Sequence, residues 1–198
     1  MHDSVKSGLR GLILFSKAAS AALDCDPLRA RKQLHEIRRS AWGILGDVEL
    51  VLHDLAQNGN DGKLLQHFIR EDLRRLVGND SSKVILDLHD NLPALPMPLT
   101  RTMLYVMREA LMNALEHAQA ASIRVSIRCN GERLHLMVND NGCGFNPSEQ
   151  SSEDHRGLVI MRERVQMIGG ELEIISTPGK GTTVWGDLPQ KEVEYAAG

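Results

Sequence analysis

Asp140-Asn141-Gly142-Cys143-Gly144-Phe145 is the stretch on which the reading of this chain turns. It follows an apolar strand pattern, Leu134–Asp140, and so sets a carboxylate at a strand end with two glycines directly after it. Glycine lets backbone approach a ligand closely and take φ/ψ values that other residues avoid. Asn113 lies 27 residues upstream, inside the helical pattern Arg108–Ala118. Glu109, Asn113 and His117 are spaced by four there, so they share one helix face. Downstream, Pro178-Gly179-Lys180-Gly181-Thr182 supplies a second glycine turn and a hydroxyl.

These pieces suit a purine nucleotide. Asp140 can accept a hydrogen bond from the adenine amino group, which separates adenine from guanine. Asn113 offers a side-chain carbonyl to Mg²⁺, which wants oxygen ligands, and Glu109 can orient a metal-bound water. His117 can donate to a phosphate oxygen. Gly157 opens a helix after the polar loop 141–156, so its N–H groups can hold phosphate. The loop is expected to act as a lid. Thr182 can donate its hydroxyl. Two other nucleotide motifs do not fit. Gly179-Lys180-Gly181-Thr182 has a glycine between lysine and threonine, and Gly142-Cys143-Gly144 lacks the third glycine of a dinucleotide fingerprint.

With 198 residues the chain has room for one or two domains. A net charge of −3 gives no support for a broad nucleic-acid or polybasic membrane surface. Aromatics make up only 4%, so the core must be aliphatic. Cys25, Cys129 and Cys143 are odd in number, far apart and outside any CxxC pair. That pattern suggests reduced thiols in a cytosolic setting, with neither zinc nor disulfide. No apolar run approaches the 18 residues of a membrane span.

The N-terminal part is helical throughout. Val5, Leu9, Leu12, Ile13, Ser16, Ala19 and Leu23 form one stripe. Asp24-Cys25-Asp26-Pro27 breaks it, and Pro27 suits the first turn of a new helix. Leu34, Ile37, Ala41, Ile44, Val48, Leu52 and Leu55 then follow heptad-like spacing. One hairpin buries too little apolar surface, which predicts a homodimer with a four-helix bundle. Asn58–Gly62 reads as a linker and hinge. Beyond it come a helix over 64–76, a strand over 83–89, a helix over 99–118, strands over 123–128 and 134–140 around Asn130-Gly131, a helix over 157–168, and a hairpin of 171–176 and 182–188. The expectation is an antiparallel sheet with helices on one face, an α+β layer.

The residues from about Leu64 to Pro189 resemble the Bergerat ATP-binding fold shared by histidine kinases, Hsp90, type II topoisomerases and MutL. Glu109 and Asn113 match its N box, Asp140-x-Gly142-x-Gly144 its first glycine box, Gly157-Leu158 its second and Gly179-x-Gly181-Thr182 its last. Arg108–Ala118 and Gly157–Arg164 look like one histidine-kinase subfamily, which includes the nitrate sensors and pairs with helix-turn-helix response regulators. That family commonly has a glycine where this chain has His155, which is taken as a feature of the branch.

The resemblance implies a two-component sensor histidine kinase core. Residues 1–58 would be the dimerisation and phosphotransfer hairpin, 63–190 a Bergerat-type ATP-binding catalytic domain, and 191–198 a tail. In that subfamily the first helix opens on a His-Asp pair, which puts the phosphoacceptor at His2, with Asp3 as base or orienting carboxylate. Ser7 stands where the family often has a glutamine linked to dephosphorylation of the regulator. The implied chemistry is ATP- and Mg²⁺-dependent autophosphorylation of His2, then transfer to an aspartate of a response regulator receiver domain. The chain is expected to be cytoplasmic, and the resemblance implies that His2's helix continues upstream into a sensor or membrane segment. The alternative is a non-catalytic module that docks a regulator, with nucleotide serving only conformation. A Bergerat-type serine kinase of an anti-sigma partner is disfavoured by the helical hairpin.

Overall fold

The computed structural model describes residues 2–56, 62–78, 83–90, 92–147 and 156–190. The chain divides into two compact units, Met1–Gly59 and Asn60–Gly198. The expected hinge falls largely outside the described residues, as do 148–155 of the expected lid and the tail 191–198.

The first unit is a hairpin of α1 (His2–Ala22) and α2 (Pro27–Ala56). Asp26 caps α2: the Arg29 N–H donates to its Oδ1 at 3.0 Å, while Pro27 occupies the first helical position, where no amide partner is needed. The helices meet on small residues. Ala19, Ala22 and Ala30 are buried, and a Cβ on Gly8 would stand 2.8 Å from Ile44 Cδ1. Several large aliphatics of the expected stripes are exposed instead: Leu9 is 48%, Ile13 59% and Leu34 53% exposed. The hairpin therefore closes on its alanines and leaves an apolar face at its surface. Val5, Leu52 and Leu55 of those stripes have side chains outside the described set.

The second unit runs α3 (Gly62–Val77), β1 (Val84–Leu88), α4 (Met97–His117), β2 (Ile123–Asn130), β3 (Arg133–Asp140), α5 (Arg156–Met167), β4 (Glu171–Ser176) and β5 (Thr182–Pro189). Its single sheet has the order β1-β2-β3-β5-β4. The expectation of a wholly antiparallel sheet is corrected here. β1 pairs parallel with β2, and the other three pairs are antiparallel. The reason lies in the connection: α4 carries the chain back along the sheet between β1 and β2, as a crossover must, whereas the other neighbours meet antiparallel.

The β2–β3 turn also differs by one position. Asn130 pairs with Arg133, so the two loop residues are Gly131 and Glu132, and Gly131 takes the positive φ of +62°. The core is aliphatic and methionine-rich, as the scarcity of aromatics requires. Ile123, Val125, Ile127, Leu134, Leu136, Val138, Val184 and Leu188 line one sheet face. Met103, Met107 and Leu111 of α4 and Met161 and Val165 of α5 are buried with them. A buried fork ties α3 to α4: Arg108 donates from Nε to Asp72 Oδ2 at 2.6 Å and from the terminal Nη2 to Oδ1 at 2.9 Å.

Candidate functional site

One row crosses the end of the sheet. Ile123 on β2 is opposite Asp140 on β3, Asp140 is opposite Thr182 on β5, and Thr182 is opposite Ser176 on β4. The row ends the sheet where the loop after β3, the exit of α4 and the β4–β5 turn come together.

Asp140 is 6% exposed, and its Oδ1 accepts the Gly142 N–H at 2.8 Å. That bond folds the loop back and holds the carboxylate in one orientation. Asn141 fixes the far side: its Oδ1 accepts from the N–H groups of Ala121 at 3.0 Å and Ser122 at 2.9 Å, and its own N–H donates to the Ser122 carbonyl. Cys143 N–H donates to the Ala118 carbonyl at 2.7 Å, so the loop satisfies the end of α4. The Cys143 thiol donates weakly to the His117 carbonyl at 3.4 Å. Gln119 leaves the helix at φ 51°, the left-handed exit that usually favours glycine.

The glycines are required by their neighbours. A Cβ on Gly142 would lie 2.5 Å from Ala118 Cβ. Gly144 has φ +58°, and a Cβ there would lie 2.9 Å from the Gly181 carbonyl oxygen. The β4–β5 turn is a hydrogen-bonded turn with Pro178 second and Gly179 third: Lys180 N–H donates to the Thr177 carbonyl at 3.0 Å, and Gly179 has φ +78°. This turn docks on the first loop, since Gly179 N–H donates to the Cys143 carbonyl at 2.6 Å. The structure thus brings together Asp140, Gly142, Gly144, Gly179, Gly181 and Thr182, which are far apart in sequence.

Ser176 ties the same segments together and carried no sequence-level assignment. Its Oγ accepts the Phe145 N–H at 2.9 Å, reaches the Gly181 carbonyl at 3.1 Å and lies 2.9 Å from Thr182 Oγ1. The available signal was its place at the inward end of β4, two residues before the proline-glycine turn.

On α4 the three four-spaced residues differ in setting. Glu109 is 3% exposed, Asn113 is half-buried and His117 is exposed. His117 is therefore not a core histidine, and Glu109 is not a solvent-face charge. Gly157 is buried in the first turn of α5, with Leu158 half-buried beside it. His2 and Asp3 belong to the other unit, in the first turn of α1, and their side chains lie outside the described set. Among the described residues no group of three or more His, Cys, Asp and Glu could hold a metal ion. No helix among them is long and apolar enough to cross a membrane.

Residues 100–192 match the family described as histidine kinase-, DNA gyrase B-, and HSP90-like ATPase. The nitrate/nitrite sensor protein NarQ of Escherichia coli (strain K12) is 37% identical over 167 residues, covering 78% of this chain and 29% of NarQ. NarX of the same strain, also a nitrate/nitrite sensor protein, is 27% identical over 188 residues, covering 93% of this chain and 30% of NarX. The chain thus spans about a third of the length of either relative. Its fold is that of the histidine kinase domain from the Erythrobacter litoralis EL346 blue-light activated histidine kinase. The TM-score is 0.55 at 21% identity, covering 95% of this chain and 94% of that one.

Proposed function

Because this chain is a sensor histidine kinase core of the nitrate-sensor-like type, with a histidine kinase-, DNA gyrase B-, and HSP90-like ATPase domain over residues 100–192, we propose that it phosphorylates itself on His2 from ATP and passes the phosphoryl group to a response regulator. The observation that carries this reading is the convergence of two glycine-bearing segments, the loop after β3 and the β4–β5 turn, on Asp140. Each is fitted so closely that a side chain at Gly142, Gly144 or Gly181 would meet neighbouring backbone.

Asp140 accepts from the adenine amino group, held in place by the Gly142 N–H at 2.8 Å. Asn113, His117, Gly157 and Leu158 serve the phosphate end, with Glu109 one turn before Asn113. The donor set fits Mg²⁺, which keeps several waters and is commonly held by one or two protein oxygens together with substrate phosphates. Asn113 and Glu109 would supply those oxygens, and the ion would neutralise charge on the transferring group. Gly179, Gly181 and Thr182 close the base end.

The neutral imidazole of His2 attacks the γ-phosphorus through its unprotonated nitrogen. A P–N bond forms, the P–O bond to ADP breaks, and ADP leaves. Asp3 orients the ring or takes its remaining proton. The phosphoryl group then moves to an aspartate on the receiver domain of a response regulator with a helix-turn-helix output domain. Two copies of the hairpin form a four-helix bundle. The exposed faces at Leu9, Ile13 and Leu34 support this, because a lone hairpin leaves them in water. The reaction takes place in the cytoplasm.

The test is incubation with γ-labelled ATP and Mg²⁺ beside a His2→Gln variant. Acid-labile label that vanishes in the variant is the expected result. Acid-stable label, or equal label in the variant, would overturn the assignment of His2.

A further inference from the structure

The Ser176 hydroxyl has one proton and two lone pairs, and it faces three partners. The Phe145 N–H can only donate, so it takes one lone pair. The Gly181 carbonyl can only accept, so it takes the proton. The remaining partner, Thr182 Oγ1 at 2.9 Å, must then donate to the second lone pair. All three contacts are satisfied together in this arrangement and in no other. Hydroxyl hydrogens are assigned in this way, from the network around them.

The consequence falls on Thr182. Its proton is committed to Ser176, so Thr182 Oγ1 offers lone pairs only. Thr182 stands opposite Asp140 in the β3–β5 register, on the same sheet face as the buried Val138 and Val184 two residues away. Asp140 is an acceptor as well. Two acceptors side by side match the two N–H donors of an exocyclic amino group, directly or through a water, and oppose a carbonyl oxygen.

We propose that Ser176 is a positioning residue for nucleotide specificity: it turns the Thr182 hydroxyl into an acceptor, so that Thr182 and Asp140 together select a 6-amino over a 6-oxo purine triphosphate. This rests on the reading of the Asp140 pocket as an ATP site. It also reverses the role expected for Thr182 from sequence, that of a hydroxyl donor. Freed from Ser176, the Thr182 hydroxyl could rotate and donate to a 6-oxo group.

The test is calorimetric titration of the full chain, with Mg²⁺, against ATP and inosine triphosphate. Ser176→Ala should weaken ATP binding about tenfold, the worth of one lost hydrogen bond at this scale. Inosine triphosphate should bind as before or more tightly, so the ATP preference narrows. Ser176→Thr, which keeps the hydroxyl, should restore it. In a Thr182→Val background Ser176→Ala should narrow the preference no further, because the two residues act as one unit. Should Ser176→Ala fail to fold, Ser176→Cys carries the same expectation with a weaker hydrogen-bonding group. Equal loss of both nucleotides, or an unchanged preference in a folded variant that binds ATP, overturns the role of Ser176 and leaves the pocket reading standing. A wild-type chain that binds no ATP overturns both.

Discussion

Gly142 has no room for a side chain against Ala118: a Cβ there would stand 2.5 Å from the Ala118 Cβ and closer still to its carbonyl oxygen. The contact locks the loop after β3 onto the end of α4, where Cys143 N–H donates to that same carbonyl. Gly142→Ala must push the two apart. It should cost about 1–3 kcal/mol of stability, the usual range for overpacking, and weaken ATP binding by more than that loss alone explains. Chemical unfolding beside nucleotide titration separates the two effects.

Asp140→Asn keeps an oxygen that can accept from Gly142 N–H, so the loop should hold its shape. The amide now presents a donor where the adenine amino group also donates. ATP affinity should fall about a hundredfold or more, with stability changed by no more than about 1 kcal/mol. Titration of a folded variant with undiminished affinity would sink the assignment of the base end.

The Asp72–Arg108 fork is buried on both sides, with side-chain exposures of 2% and 10%. Removing one partner strands the other charge in the core. Asp72→Ala should cost about 3–5 kcal/mol, while Asp72→Leu with Arg108→Met should recover most of it. Denaturant unfolding of the single and double variants checks this. If the fork only joins α3 to α4, the folded double variant should still bind ATP.

Cysteine alkylation offers a probe that needs no activity. Cys25 and Cys143 are exposed, whereas Cys129 is half-buried and burial pushes its thiol above the ordinary cysteine range. A raised thiol carries less thiolate at any given pH, so Cys129 should be the last to react. Saturating ATP and Mg²⁺ should slow Cys143, between the two loop glycines, and leave Cys25 unchanged. Mass spectrometry of the time course reads both, and equal protection of Cys25 would count against a local effect.

Much of the fold was legible because its signals are local. Apolar spacing marked every helix of the second unit, and Pro27 marked the start of α2, to which the structure adds the Asp26 cap. The strand pattern placed β2 to β5 within a few residues. The parallel pairing of β1 was not legible, because a strand's period is the same in either direction and only the path of α4 sets its sense. Within the hairpin, periodicity located the stripes but not which of their members would face the other helix of the same chain. Ala19 of the α1 stripe is buried together with Ala22 and Ala30, while Leu9 and Ile13 of the same stripe stay exposed.

By itself the sequence determined the type of residue at each corner of the candidate site: a carboxylate at a strand end, glycines where the backbone turns, and a four-residue spacing along α4. Those demands follow from backbone sterics and helical geometry, which act over a few residues. Tertiary structure alone decided which groups meet. It set Asp140, Thr182 and Ser176 in one row across three strands and pressed Gly142 onto Ala118. It also fixed the direction of the Thr182 hydroxyl, because a hydroxyl can donate or accept until its neighbours count its single proton.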